Sequence, residues 1–474
     1  MEPIGLVERL GRWSSGRGPL YVLLATRMRT LIDDGELPPG SRLPPDRVLA
    51  SALAVGRTTV VAAYDQLAVE GRIVRRQGSG TRVAGAASAQ SRTTTETPMF
   101  LHLLEQQDGV IMQGCAAPDR PPPELVEAYT NILPLLADTV GDIGYYPMGH
   151  IVLRRAIAER YERRGVPTTP DEVLVTSGGQ QALSLLSRAL LSPGDRVLVE
   201  APTFPGALEA FREEGAVPRG LPVGLAGFTN AVAEHRPVLA YVVATFHNPT
   251  GAVLPALQRR RLAETAREND ITLIDDEVLA DLGFPGEPTP PPLVAYDDHV
   301  ITVGSLSKVI WGGLRIGWVR APARVVARLA RLRAVSDLGG NIPAQLAAAD
   351  LVSHLAVPQR RSAVDRRAQY EHLRAELARH LPDWQVPTVP GGQTLWVRLP
   401  HGDGTSFAQT ALRHGVAVLP GTGLDAEGGS TDHIRLHFVA PPDQLTETVR
   451  RMATAWHAYD HQPDHVPSMP TMAI

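Results

Sequence analysis

The chain has 474 residues, 43% of them hydrophobic and 20% charged, with a formal net charge of −4; that length suggests two or three domains, and that composition a globular fold. No apolar run approaches the ~18 residues of a membrane span, and the opening MEPIGLVERLGRW lacks the basic and then apolar regions of a secretory leader, so a cytoplasmic protein is expected. The single cysteine, Cys115, excludes an internal disulfide and fits a reducing compartment.

Charge is spread unevenly. Residues 1–83 hold twelve Arg against eight Asp or Glu, a balance of +4, which leaves −8 for residues 84–474. A basic first segment on an acidic body suggests a nucleic-acid-binding module joined to a unit with another task. Within residues 19–83, Leu24, Met28, Leu31 and Ile32 recur at helical spacing, and this helix is expected to end near Asp34-Gly35, before ProProGly at 38–40. A short helix follows over about 45–53, then a tight turn at Ala54-Val55-Gly56. A further helix spans about 57–70, with Val60, Ala63, Tyr64 and Leu67 inward and Gly71 as its stop. IVRRQ and TRVA read as strands around a hairpin tip, Gly78-Ser79-Gly80.

Helix, helix, turn, helix and hairpin is the layout of a winged helix-turn-helix, in which the third helix enters the major groove and its first residues reach base edges. Arg57, Thr58 and Thr59 occupy that end. Arg75, Arg76 and Arg82 flank the wing, with Gly78 at its tip, placed for phosphates or a minor groove; Arg47 starts the preceding helix, where it can anchor the backbone. The stretch PGSRLPPDRVLASALAVGRTTVVAAYDQLAVEGRIVRRQGSGTRV resembles the DNA-binding domain of GntR-type bacterial repressors over its full length. That family usually has Ser-Arg-Asn/Thr-Thr before the recognition helix; Gly56-Arg57-Thr58-Thr59 keeps the Arg and the last Thr and replaces the Ser. The resemblance implies a double-stranded DNA operator as partner.

Residues 84–97 are small and polar without an apolar period and read as the start of a linker, taken to residue 109. Beyond it, EVLV (172–175), RVLVE (196–200), LAYVVA (239–244), ITLID (271–275) and VITV (300–303) are short apolar runs, most of them separated by helical stretches. This alternation argues for a mainly parallel α/β sheet with crossover helices. Residues 461–474 read as a disordered tail.

Of 46 basic side chains, 45 are Arg and one, Lys308, is Lys. A primary amine can deprotonate and condense with a carbonyl, whereas a guanidinium cannot. Its survival is either chance or the mark of a site, and the neighbouring motifs decide. TSGGQQAL (176–183) follows a strand and opens a helix, whose N–H groups can hold a phosphate. HNPTGAV (247–253) puts Asn248 beyond the end of another strand, DDEVLADL (275–282) ends the next with acids, and SLSKVIWGGLRIGW (305–318) holds Ser305, Ser307, Lys308 and Arg315. In open α/β sheets that edge binds ligands.

Together these motifs resemble fold-type I aminotransferases, which bind pyridoxal 5′-phosphate (PLP), over about residues 110–456. The resemblance implies that Lys308 bonds to the PLP aldehyde and that Asp276 pairs with the pyridinium nitrogen, with Asp275 as second choice. It further implies that Asn248 holds the phenolic oxygen, and that Gly179, Gln180, Ser305 and Arg315 hold the phosphate. Phe204, in APTFPGA, falls where the family stacks an aromatic on the ring. Tyr145, in YYPMG, matches a tyrosine that crosses a dimer interface to the partner's phosphate, and Arg435, in HIRLHF, matches the arginine that clamps a substrate carboxylate. No metal is implied. Two residues depart from the pattern: Leu279 stands for the family's Tyr, and Gly179 for a phosphate-site Ser.

A GntR-like winged helix on an aminotransferase-like domain resembles the MocR subfamily of bacterial transcription regulators. The expected fold is α/β: a winged helix-turn-helix at 19–83, a linker at 84–109, and a PLP-dependent transferase fold at 110–456. That fold should have a mainly parallel large sheet and a smaller C-terminal subdomain. The expected function is a homodimeric regulator that senses PLP, or an amine or amino acid, through aldimine chemistry at Lys308. The alternative is a working aminotransferase with an accessory DNA-binding domain; the loss of the Tyr at Leu279 points to weak or absent turnover.

Overall fold

The computed structural model describes residues 3–10, 13, 20–33, 36–38, 40–53, 55–69, 72–76, 80–83, 108–137 and 141–460. The helix stop at Gly71, the hairpin tip at Gly78-Ser79, the linker before residue 108 and the tail at 461–474 lie outside them. The chain divides into two units, one running to Pro98 and one from Met99 onward.

The first unit contains α1 (Pro3–Leu10), α2 (Leu20–Asp33), β1 (Arg42–Leu43), α3 (Asp46–Ala52), α4 (Arg57–Val69), β2 (Ile73–Arg76) and β3 (Gly80–Val83). Leu24, Met28 and Leu31 of α2 meet Val60, Ala63, Tyr64 and Leu67 of α4 in one buried core, each large aliphatic side chain stabilising by about 1.5–3 kcal/mol. The Tyr64 hydroxyl donates to Pro44 O at 2.9 Å, tying α4 to the loop before α3. Two elements were not expected. Leu6 and Leu10 of α1, one turn apart, close the core, and Arg27 Nε caps that helix by donating to Leu10 O at 3.2 Å. β1 adds a third antiparallel strand to the wing, in the order β1-β3-β2; two residues are too few to show a period.

The second unit begins with β4 (Ile111–Met112), α5 (Pro123–Ala137), α6 (Ile151–Arg163), β5 (Val173–Thr176), α7 (Gly179–Leu190), β6 (Arg196–Glu200), α8 (Pro205–Glu213) and β7 (Val217–Leu221). It continues through α9 (Phe228–His235), β8 (Leu239–Val242), α10 (Ala256–Glu268), β9 (Thr272–Asp276), β10 (Ile301–Ser305), β11 (Gly317–Arg320), α11 (Ala323–Ser336) and α12 (Ile342–His354). The central sheet has seven strands in the order β5-β11-β10-β9-β8-β6-β7, parallel except for β11, which runs against both its neighbours. Side chains alternate between two cores, as a sheet covered on both faces requires. On β8, Leu239 and Tyr241 pack with α7, α8 and α11, while Ala240 and Val242 pack with α5, α6 and α10.

The five predicted strands are present, RVLVE with the expected ends and the other four with shifted ones. LAYVVA stops pairing at Val242, because Ala244 O turns aside to accept Leu254 N at 2.9 Å and Arg259 Nη2 at 2.7 Å. β7 and β11 escaped the pattern; VPRGL contains Pro and Gly, and GWVR offers only two consecutive apolar residues between Gly and Arg.

The smaller subdomain comprises α13 (Ala356–His380), β12 (Thr394–Arg398), α14 (Gly404–Arg413), β13 (Val416–Ala417), β14 (Leu419–Pro420), β15 (His433–His437) and α15 (Pro442–Asp460). Its antiparallel sheet, β12-β15-β14, and its three helices enclose a core that includes Trp384, Phe407 and Met452. β13 pairs with β4, so the start of this unit is drawn across its C-terminal part.

Candidate functional site

The C-terminal ends of β5, β6, β8, β9 and β10 lie along one edge of the sheet, and the loops leaving them carry the motifs singled out from the sequence. Register aligns them: Thr176 faces Gly317, Gly317 faces Ser305, and Asp276 faces Val303. Between these loops and β15 lies a cavity of about 60 Å³ lined by Cys115, Phe204, Asn248, Leu279, Lys308 and Arg435. A larger hollow of about 260 Å³ lies at the opposite ends of β9 and β10 and holds none of these residues.

Lys308 is half-buried and donates from Nζ to Ala116 O at 2.6 Å. Burial pulls its ammonium below the ordinary lysine pKa; nearby Arg435 adds to this, while Cys115 and Asp276 oppose it. The result is an amine more readily freed of its proton. Successive residues of β9 point to opposite faces, and the two acids differ accordingly. Asp276 accepts from the Tyr241 hydroxyl at 2.7 Å and Val278 N at 3.0 Å, and its charge is felt by Lys308. Asp275 lies with the other core, accepting from Leu293 N at 3.4 Å and Ala244 N at 3.5 Å. Burial raises the pKa of both carboxyls.

One end of the site is built for an anion. No side chain caps α7, so its first N–H groups face outward at the positive end of the helix. Gly178, just before it, has φ +115°, and a Cβ there would lie 2.9 Å from the Arg315 guanidinium. Glycine therefore serves both the backbone and this close approach. Gln180 donates to Gly206 O at 2.8 Å and leaves its own buried Oε1 without a partner. The Ser305 hydroxyl donates to Ile316 O at 3.1 Å and lies 3.0 Å from Ser307 Oγ.

At the other end, Arg435 is 5% exposed. It donates to Asn248 Oδ1 at 3.1 Å and to Gly114 O, and its Nε has no partner. Burial pulls its pKa down to about 10. Phe204 is half-buried at the start of α8, and Leu279 is 8% exposed against the cavity. Tyr145 is 61% exposed, and the fold does not bring it into this cavity.

In the first unit the starts of α3 and α4 meet: Arg57 Nε donates to Asp46 Oδ2 at 2.8 Å. Arg47, Arg57 and Thr58 are exposed and Thr59 is half-buried. Arg82 donates to Gly40 O at 3.1 Å. The side chains of Arg75 and Arg76, and Gly78 itself, lie outside the described residues.

Residues 116–452, well over half of the chain, match the family described as aminotransferase class I and II, and residues 20–83 match the bacterial regulatory proteins of the gntR family. The chain belongs to the aminotransferase class I and II family. Its first unit makes it a GntR-type transcriptional regulator fused to that aminotransferase domain, the MocR architecture. It is 30% identical to the HTH-type transcriptional regulator YisV of Bacillus subtilis over 94% of this chain and 99% of that protein. It is also 30% identical to the pyridoxine biosynthesis transcriptional regulator PdxR of Corynebacterium glutamicum, over 78% of this chain and 81% of that one. The solved structure of LysN, an α-aminoadipate aminotransferase from Thermus thermophilus complexed with N-(5′-phosphopyridoxyl)-L-leucine, superposes with a TM-score of 0.69 at 28% identity, covering 78% of this chain and 97% of that one.

PLP is accordingly the cofactor of this aminotransferase-type domain. The residues fit it: the glycine cradle under Arg315, the uncapped helix end, the unpartnered Gln180 Oε1 and the buried acid near a desolvated amine match a phosphate, a ring and an aldehyde. Sequence reasoning missed Tyr241, although a tyrosine inside an aliphatic strand was a usable signal. It also missed segment 113–116, which carries none. There Ala116 O accepts from Lys308, Gly114 O from Arg435, and Gln113 Oε1 from His437 N at 2.9 Å. Among the described residues, no helix is long and apolar enough to cross a membrane.

Proposed function

We propose that this GntR–aminotransferase regulator works in the cytoplasm as a homodimer. In this reading the aminotransferase domain senses PLP, or an amine or amino acid meeting it at Lys308, and passes that occupancy on as a change in operator affinity. The observation that carries the reading is one juxtaposition. The only lysine in the chain, desolvated, shares a small cavity with a buried arginine whose Nε is free, in a chain that begins with a winged helix. The division of labour follows the boundaries read from the sequence, 19–83 for DNA, 84–109 for the connection and 110–456 for sensing.

When bound, PLP supplies an aldehyde that condenses with primary amines and a ring that withdraws electrons. The chain's own residues do the rest. Arg435, with its Nε idle, would take an incoming carboxylate with a charge-assisted fork, and Asn248, which accepts from Arg435 through Oδ1, would donate from Nδ2 to the ring's oxygen. Lys308, already poor at holding its proton, would present its free amine to the cofactor's aldehyde and would take up a proton when an incoming amine displaces it. Asp276, steadied by Tyr241 and Val278 N, would pair with the ring nitrogen, and Phe204, on the cavity wall, would pack against the ring. Gly179, Gln180, Ser305 and Arg315 would hold the phosphate. The exposed Tyr145 and Ile143, 61% and 82% accessible, support a second subunit on that surface, with Tyr145 reaching its cofactor.

Adding an amine or amino acid to the PLP-loaded protein is expected to shift both its visible spectrum and its operator affinity, while keto-acid formation stays at the nonenzymatic background. Leu279 cannot donate the hydrogen bond that a tyrosine there would give to the ring's oxygen, so Leu279→Tyr is expected to raise residual transamination and keep PLP bound. Turnover above ~1 s⁻¹, within the ordinary enzyme range, would establish the aminotransferase alternative instead.

On the DNA side, Arg57 and Arg47 are assigned different roles. Arg57, at the first residue of α4, is held by Asp46 and reads a base edge, so Arg57→Ala should lower operator affinity by about 1–3 kcal/mol and relax base preference. Arg47→Ala should weaken operator and random DNA alike, because phosphate contacts carry no base information. Equal losses from both variants on both DNAs, in a binding titration at fixed salt, would remove this distinction.

A further inference from the structure

A third cavity, of about 210 Å³, is lined in part by Lys308 and is bounded by α13, by Arg120 and by the chain just after β15. Its deepest cation is Arg366 of α13, only 6% exposed. Two other buried arginines, Arg259 and Arg333, are held by several strong bonds. Arg259 donates to Leu254 O, Pro291 O, Ala244 O and Thr245 Oγ1 at 2.7–3.1 Å. Arg333 pairs with Asp337 at 3.0 Å and donates to Val175 O. Arg366 makes a single long bond, to Gly283 O at 3.5 Å, and its Nε has no partner. An internal acid close enough to act on it, Asp281, is taken by Arg160 at 2.6 Å, and Asp365 on the same helix, which also lines the cavity, is exposed and acts on Arg366 through charge without a hydrogen bond. Desolvation with so little compensation pulls the Arg366 guanidinium down to about 10.

A buried guanidinium left this poorly matched is destabilising unless an anion completes it. We propose that this cavity is a binding site for a small oxyanion, a carboxylate or a phosphate, gripped by Arg366 with Arg120 at the mouth. Arg120 is exposed and held only by a surface pair with its neighbour Asp119, so it can swing to a ligand with little loss. Ser362 and Gln369, half-buried on the α13 wall, add neutral donors. The inner wall is Gln393, 2% exposed, which donates to Lys308 O at 3.3 Å and keeps a buried Oε1 without a partner. Lys308 and Gln393 line both this cavity and the smaller one, so an occupant here lies directly beside Lys308. The site does not depend on what reacts at Lys308.

The test is calorimetric titration of PLP-loaded protein carrying Arg435→Ala, with succinate and, separately, inorganic phosphate, chloride holding the ionic strength constant. Cofactor then fills the phosphate cradle, and the missing guanidinium removes the carboxylate position in the first cavity. One-site saturable binding of either anion is expected; the anion that binds tells a carboxylate site from a phosphate site. Arg366→Met in that background should weaken binding at least tenfold. Ser362→Phe, which fills the cavity from a half-exposed position and leaves the buried charge in place, should abolish it, so the test survives if Arg366→Met does not fold. The proposal is overturned if neither anion saturates, or if Ser362→Phe binds as the parent does.

Discussion

Lys308→Arg is expected to lose the visible absorption of the PLP-loaded protein entirely, and borohydride treatment of the parent to fix cofactor on one peptide, the one containing Lys308. The substitution keeps a positive charge and a similar length, so what it removes is the amine. No other lysine exists to take over. The setting strengthens the expectation: the ammonium is desolvated, its pKa lies below the ordinary lysine value, and Ala116 O holds Nζ at 2.6 Å from inside the cavity. Because that pKa is lowered, the free amine is populated at lower pH than in an exposed lysine, and the rate of reaction with added aldehyde should rise through a correspondingly lower range. A visible band persisting in Lys308→Arg would mean that the cofactor is held elsewhere and would sink the site as drawn. DNA binding by the arginine variant without cofactor should match that of the apo parent, since the change is confined to the second unit.

Arg435→Ala is expected to leave cofactor loading intact and to weaken the response to amino acids by about 30-fold to several-thousand-fold, the 2–5 kcal/mol typical of deleting one side of a buried charged contact. The guanidinium is 5% exposed, two of its nitrogens are committed to Asn248 Oδ1 and Gly114 O, and its Nε is idle. A carboxylate entering this dry cavity meets a cation that is already desolvated and oriented, which is why the loss should be large. An amine without a carboxylate serves as the control, because its response should be nearly unchanged. Spectral titration with an amino acid and the matching decarboxylated amine measures the difference. If Arg435→Ala responds to the amino acid as the parent does, the carboxylate is recognised somewhere else, and the orientation proposed for the effector fails. Arg435→Lys separates charge from geometry: a point charge retains part of the attraction but lacks the fork, and should recover part of the affinity.

Much of this architecture was legible in the sequence because it depends on local period and on short motifs. The 3.6-residue spacing of Val60, Ala63, Tyr64 and Leu67 places α4, and the aliphatic runs between helices require a covered, mainly parallel sheet. The composition by itself singles out Lys308, since one amine among 45 guanidiniums is visible without coordinates. What remained hidden depends on contacts between distant residues. β11 reverses direction between β5 and β10 although its four residues carry no sign of it. The choice between Asp275 and Asp276 turns on which face of β9 each occupies, and Tyr241, thirty-five positions away from Asp276, supports only one of them. Segment 114–116 reaches Lys308 and Arg435 because β4 pairs with β13, a parallel contact closed over some three hundred residues of chain. Arg366 reads as one more charge on a long helix. Only burial without partners distinguishes it, because desolvation and pairing are properties of the packed environment, set by the side chains that tertiary structure brings around a group.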